Sequence, residues 1–409
     1  MARFKSSRPS GSARPRVRPS VESLEPWTLL NSGLLGDLGL STLSQGVAPA
    51  VPSGGSVDVA PDPGRLAGRP SIGQNPAQVQ ANRTFAPAFG SNSPGATANT
   101  PVREDFDGDG KSDYAVFVPG TAQWVIHNSS DGSATVFVWG LTGSHDTLMS
   151  GDFNGDGRAD AVAYDPTTSI WSIRNSADGT ATAIVWGIAG SADMPLVADF
   201  DGDGKTDIAV YRPSTAQWIV HNSDGTDPTV FTWGIAGSGD LPGPADFDGD
   251  GKADFAIYRS SELLWLFKNS ADGSVTGTYM LPSLADFGPG IPAPLDANGD
   301  GKADPSVFAP NSGGFEGMFE TKLTNGSDFF FHNVMGADWS LAIGDYNGDG
   351  LEDPANYNPA TSRWIAAPFA TPTFIPNFVW GQAGSSDYPI IRIGVRVPAT
   401  STVGAHLGG

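Results

Sequence analysis

Asp199-Phe200-Asp201-Gly202-Asp203-Gly204-Lys205-Thr206-Asp207 carries carboxylates at positions 1, 3, 5 and 9 and glycine at positions 4 and 6. Short carboxylates at alternate positions converge on one point when the backbone turns sharply. Glycine permits that turn because it has no Cβ to resist a positive φ. Ca²⁺ takes six to eight hard oxygen ligands at about 2.3–2.6 Å, whereas Mg²⁺ demands a stricter octahedron. The stretch therefore predicts a calcium loop. Asp199, Asp201, Asp203 and Asp207 supply carboxylate, and Lys205 supplies only its main-chain carbonyl.

The stretch is one of six. Equivalent loops start at Asp105, Asp152, Asp199, Asp246, Asp296 and Asp345, spaced by 47, 47, 47, 50 and 49 residues. Self-similarity at such a period marks a repeat architecture. The ligand sets by this reading are Asp105, Asp107, Asp109, Lys111 and Asp113; Asp152, Asn154, Asp156, Arg158 and Asp160; Asp246, Asp248, Asp250, Lys252 and Asp254; Asp296, Asn298, Asp300, Lys302 and Asp304; and Asp345, Asn347, Asp349, Leu351 and Asp353. Asn at position 3 keeps an oxygen and loses a charge. Position 7 varies in side chain, as a carbonyl ligand allows. An EF-hand needs Glu at position 12 and flanking helices. Position 12 here is Val116, Ala163, Val210, Ile257, Val307 or Asn356, so the loop joins strands.

Each repeat reads as all-β. After the loop comes an unbroken apolar run such as Ile208-Ala209-Val210-Tyr211, which predicts a strand buried on both faces. A Pro/Ser/Thr turn follows, then a second strand with a phased aromatic: Trp124, Trp171, Trp218, Trp265, Phe315 and Trp364. An Asn222-Ser223-Asp224-Gly225 type turn predicts a tight hairpin. A third strand ends in Trp-Gly at Trp139, Trp186, Trp233 and Trp380, and a fourth, such as Pro195–Phe200, leads to the next loop. Four short antiparallel strands per unit, apolar on both faces, predict a β-propeller, because each blade must bury its faces on its neighbours. A β-solenoid usually has shorter repeats. The phased tryptophans are expected between blades. Six loops predict six four-stranded blades. Asp387–Val397 repeats the start of a blade with Ile393 at the loop's first position, and either closes the ring beside the first blade or begins a seventh. The fifth repeat, from Gly313 to Phe331, departs from the others.

On these loops and strands the chain resembles the FG-GAP/VCBS repeat family, over about residues 101–397. The architecture is shared with integrin α-subunit propellers and certain fungal propeller lectins. The resemblance implies calcium-dependent structure, usually extracellular, and no single partner.

Charge and composition agree. Residues 1–100 carry a net charge of +4 and residues 101–409 a net charge of −25. An acidic body excludes nucleic acid as a partner, since phosphate binding needs a basic face. The ligand positions hold 21 of the 39 carboxylates in residues 101–409, and six Ca²⁺, one per loop, would take −25 to −13. Metal binding is then expected to act as folding energy, about 2.7 kcal/mol per independent site at 100 times Kd. There is no cysteine, so neither disulfides nor thiolate metal sites are available. No apolar run is long enough for a transmembrane helix.

The chain divides into a basic targeting-like region (1–44), a Pro/Gly/Ser-rich linker (45–100), the propeller (101–397) and a tail (398–409). Leu24-Glu25-Pro26-Trp27-Thr28-Leu29-Leu30, with Trp27 where the pattern has Arg, resembles the LEPR-XLL type of N-terminal region found on large bacterial extracellular and envelope proteins. Residues 45–100 have too few large apolar residues to offset chain entropy, although Val79–Phe89 is a candidate strand.

The expected function is a calcium-binding, extracellular or cell-envelope module with a structural, adhesive or protein-interaction role. The alternative is a lectin, in which Trp124/Asp146-type positions bind sugar. A hydrolase ranks third: His332, with Glu316 and Glu320 nearby, is the one His outside the repeat phase worth noting, and Gly-x-Ser-x-Gly, His-Glu-x-x-His and P-loop motifs are absent. No catalytic residue is assigned.

Overall fold

The computed structural model describes residues 43–45, 103–141, 146–288, 290–309, 317–323, 326–333, 340–366, 378–381 and 387–390. The targeting-like region up to residue 42, Val79–Phe89, nearly all of the linker and the tail lie outside these residues. Leu43–Gln45 forms a short strand parallel to Ala181–Val185.

The chain builds six antiparallel blades. Blade 2 runs Thr147–Gly151, Asp160–Asp165, Ile170–Arg174 and Ala181–Val185. Blade 3 runs Met194–Ala198, Asp207–Arg212, Gln217–His221 and Thr229–Thr232. Blade 4 runs Leu241–Pro242, Phe255–Arg259, Leu264–Lys268 and Val275–Tyr279. Blade 5 runs Ile291–Pro292, Ser306–Ala309, Gly317–Lys322 and Asp328–Asn333. Blade 6 runs Ser340–Gly344, Asp353–Asn358, Arg363–Ala366 and Phe378–Val379. First strands of neighbouring blades pack on one another, which places them at the axis. The stretch around Pro195–Phe200 is thus the first strand of the following blade; in blades 2 to 6 the loop joins a blade's first strand to its second, and in blade 1 it leads into the second.

Blade 1 settles the ring. Its second to fourth strands are Tyr114–Val118, Gln123–His127 and Ala134–Val138, and its first is the C-terminal Tyr388–Pro389, with Val116 opposite Pro389 and Phe117 opposite Tyr388. The C-terminal segment therefore closes the ring within blade 1, and the blades number six.

Second strands are buried along their length, as at Tyr114–Val118 and Asp207–Tyr211, because both faces meet other blades. Trp124, Trp171, Trp186, Trp218, Trp233, Trp265 and Trp364 are all fully buried. Trp186 Nε1 donates to Ile219 O of the next blade at 3.1 Å, Trp139 Nε1 to Ser172 O at 3.0 Å, and Trp380 Nε1 to Val125 O at 3.3 Å. Three of the four Trp-Gly tryptophans thus bond across to the next blade, while the buried Trp233 Nε1 meets no acceptor.

One expectation is corrected. Phe319, not Phe315, holds the aromatic phase in blade 5: Phe308 pairs with Phe319 as Tyr258 pairs with Trp265. The turn before it is longer than in blade 4, where Arg259 and Leu264 bound it, so counting from the loop misplaces the phase. A 3₁₀ turn at Pro282–Phe287 lengthens the link from blade 4 to blade 5, consistent with the 50-residue spacing.

Candidate metal centres

Backbone geometry makes each loop. The glycines at positions 4 and 6 all have positive φ, for example +79° at Gly202 and +84° at Gly204. This is the left-handed region that a Cβ disfavours. The position 1 carboxylate then caps the turn from inside. One oxygen accepts the position 4 N–H at 2.6–2.7 Å and the other the position 6 N–H at 2.8–2.9 Å, in all six loops. Position 3 accepts the N–H of position 5 at 2.7–3.2 Å. Position 5 accepts that of position 7 at 2.8–3.0 Å. The side chains at 1, 3 and 5 are drawn to one side of the loop by these bonds.

Position 9 ties the loop to the blade. In the first five loops its Oδ2 accepts the position 2 N–H at 2.7–3.2 Å. In the first four its Oδ1 accepts the N–H of Ser129, Ser176, Ser223 or Ser270 at 2.6–2.9 Å. Three of these serines also donate Oγ–H to the position 5 Asp: Ser129 to Asp109 at 2.8 Å, Ser223 to Asp203 at 2.9 Å and Ser270 to Asp250 at 3.0 Å. In sequence these serines read as hairpin-turn residues. Their constant offset of 24 from the loop's first Asp was the signal.

Three sets of carboxylates converge so that one oxygen of each lies within 4.8 Å of the others: Asp105, Asp107 and Asp113; Asp199, Asp201 and Asp203; and Asp246, Asp248 and Asp250. These are the three loops with Asp at position 3. In the remaining loops Asn supplies an amide instead. Asn154 Nδ2 donates to Asp156 at 3.0 Å, and Asn347 Nδ2 to Asp349 at 3.0 Å and Asp353 at 3.1 Å.

A cation suits the loops as a group, including their carboxylates outside the three converging sets. Burial pushes the carboxyls of Asp113 and Asp207 up to about 7 and that of Asp160 up to about 6, against the main-chain bonds that pull them down. Asp105, Asp199, Asp246, Asp296 and Asp345 are raised for the same first reason, burial, with neighbouring carboxylates adding to it. Asp201 Oδ2 is buried with no hydrogen-bond partner. A buried carboxylate oxygen without a donor is costly, and an ion removes that cost. The donor set is all oxygen, as Ca²⁺ prefers.

Position 7 does more than offer a carbonyl. The side chains of Arg158, Lys205, Lys252, Lys302 and Lys111 lie over the position 4 glycines Gly108, Gly155, Gly202, Gly249 and Gly348 of the neighbouring loop. At Gly202 and Gly348 a Cβ would collide with the lysine stem. Position 8 completes the link. Its N–H donates to the position 1 carbonyl of the neighbouring loop, from Ala159 to Asp105, Thr206 to Asp152, Ala253 to Asp199, Ala303 to Asp246, Glu352 to Asp296 and Ser112 to Asp345, at 2.6–3.0 Å. Six such bonds form a closed belt around the axis.

The other proposed sites fare differently. Asp193 and Asp240, equivalents of Asp146, are buried and pair with Arg212 at 2.8 Å and Arg259 at 2.7 Å. These aspartates, like the tryptophans, are occupied in the core. Glu320 is buried and accepts the Leu281 N–H at 2.7 Å. Glu316 and the His332 side chain lie outside the described residues. Among the described residues, no helix is long and apolar enough to cross a membrane.

The FG-GAP-like repeat family matches residues 105–163, 152–210, 199–257 and 246–304. No curated protein matches the chain. Among solved structures, a lectin from Agrocybe aegerita that recognises non-reducing terminal N-acetylglucosamine is 15% identical, covering 66% of this chain and 90% of that one at a TM-score of 0.43. A nidogen/laminin complex gives 13%, 65%, 93% and 0.43. Virginiamycin B lyase from Staphylococcus aureus gives 12%, 70%, 86% and 0.39.

Proposed function

We infer that this chain, an all-β six-bladed propeller whose residues 105–304 are FG-GAP-like repeats, is a calcium-dependent protein-interaction module. The observation that carries the metal half of this reading is the convergence of Asp199, Asp201 and Asp203, with a buried Asp201 oxygen that no donor meets. By the repeat, each loop would hold one Ca²⁺ through positions 1, 3, 5 and 9 and the carbonyl of position 7. The ion would supply charge neutralisation and rigidity to the loop. The chain's own residues do the rest: glycines set the turn, serines tether it to the blade, and the position 8 bonds couple it to its neighbour.

A non-catalytic role accords with the use of Glu320 and the repeat aspartates as core hydrogen-bond and ion-pair partners. The burial of seven tryptophans counts against sugar stacking at those positions. An extracellular or cell-envelope setting is proposed with the interaction role, because loops of weak, oxygen-only calcium sites fill where calcium is millimolar.

The test is calorimetric. Titration of the chelator-treated protein with CaCl₂ should give about six sites, and its melting temperature should rise when Ca²⁺ replaces EGTA. A melting temperature that does not move removes the calcium reading.

A further inference from the structure

At five of the six joints two residues take corresponding places near the loop end. They are the fourth-strand residue opposite the phased aromatic and the residue that follows the next loop. The pairs are Phe137 with Ala161, Ile184 with Ile208, Phe231 with Phe255, Thr278 with Pro305, and Phe378 with Tyr114. Phe231 and Phe255 meet edge to face at 4.4 Å, and Phe378 meets Tyr114 at 4.5 Å. At the joint of blades 4 and 5 both residues are small.

The consequence is a pocket of about 380 Å³, at the small end of ligand sites. Phe247 and Phe267, 4.5 Å apart, form one wall, and Lys322 and Leu323 of blade 5 help to form the rest. Thr276 and Thr278 bring hydroxyls to it. Lys322 Nζ is held by Tyr279 O at 2.9 Å, so its ammonium is fixed in place. In the preceding joint the places corresponding to Thr278 and Pro305 are held by two phenyl rings in contact.

We propose that this joint is a binding site for a ligand presenting one uncharged, phenyl-sized ring flanked by carbonyl acceptors, as a phenylalanine or tyrosine residue of an extended peptide does. The ring takes the place that Phe231 and Phe255 take one joint earlier. Carbonyl oxygens accept from the threonine hydroxyls and the Lys322 ammonium. An anionic ligand is disfavoured, because Phe247 belongs to the loop whose Asp246, Asp248 and Asp250 converge beside it. The site stands on packing, and does not depend on the metal reading.

The test uses the full chain in CaCl₂ and N-acetyl-4-fluorophenylalanine amide, followed by ¹⁹F NMR. Saturable broadening and shift of the fluorine line are expected. Thr278→Phe, which restores the blade 3 residue, should lower affinity by about tenfold or more, or about 1.4 kcal/mol, with an unchanged or higher melting temperature. Lys322→Met should weaken binding several-fold and keep the ring shift. The proposal is overturned by a line that does not saturate, by equal affinity in the folded Thr278→Phe variant, or by methyl pyranosides binding at the joint where the aryl amide does not.

Discussion

Asp201 and Asn154 hold the same place in their loops and differ by one oxygen-for-nitrogen exchange. Asn154 donates to Asp156 within its own loop. Asp201 cannot donate, and one of its oxygens is buried without a partner. Asp201→Asn is therefore expected to do two opposite things: raise the melting temperature of the EGTA-treated protein and weaken calcium binding at that loop. Calorimetry under both conditions checks the pair, and a fall in metal-free stability would contradict it. The raised carboxyls give a second expectation. Asp113, Asp160 and Asp207 titrate at about 6 to 7 in the fold but near 3.9 when unfolded. Between those values the folded state binds more protons, so metal-free stability should fall as pH rises from about 4 to 7. Chelator-treated melts across that range test the sign, which is opposite to that of an ordinary salt-bridged carboxylate.

At the scale of the element, the joint is the unit that matters. A blade alone would expose two apolar faces, and Trp139, Trp186 and Trp380 each reach across one joint to the next blade. Trp186 is buried and its indole N–H reaches Ile219 O across the joint. Trp186→Phe keeps most of the apolar contact and leaves that carbonyl one donor short. The expected cost is about 1–3 kcal/mol, read as a lower denaturant midpoint with an unchanged slope. A neutral result would mean that packing alone holds the joint. The turns before the third strands show how tightly the element is specified. Ala122, Ser169, Ala216, Leu263 and Ser362 all have φ between +51° and +58°, and their carbonyls accept the N–H of Trp139, Trp186, Trp233, Met280 and Trp380. A strained residue thus recurs wherever the Trp segment, or its Met280 counterpart, is anchored.

Over the whole molecule, closure depends on residues nearly three hundred positions apart. The first strand of blade 1 comes from Tyr388–Pro389, with Ile390 N bonded to Ala115 O and its side chain buried. At the other end of the ring's sequence, Arg103 bridges to Glu352 at 2.6 Å and to Pro294 O at 2.9 Å. Deleting residues 387–409 removes the closing strand and exposes the edge of Tyr114–Val118. Burial of Ile390 alone is worth about 1.5–3 kcal/mol, so a loss of at least that size is expected in thermal melts. An unchanged transition would show that the ring does not need this strand.

Short-range residue patterns were sufficient for the loops, strands and buried aromatics. Asp at alternate positions with glycine at 4 and 6, an unbroken apolar run and a phased tryptophan are short-range signals, and each maps onto one loop, strand or joint. Their period was enough for the propeller, because a unit apolar on both faces must repeat around an axis to bury them. What needed tertiary structure was whatever links distant segments. The choice between closing strand and seventh blade rested on Val116 meeting Pro389. The tethering role of Ser223 rested on a hairpin folding back onto its own loop. The phase of Phe319 was hidden by a longer turn, since counting residues assumes equal turns and only strand pairing reveals register. The pocket beside Thr278 depends on what two distant strands bring to one joint, as Phe231 and Phe255 do one joint earlier.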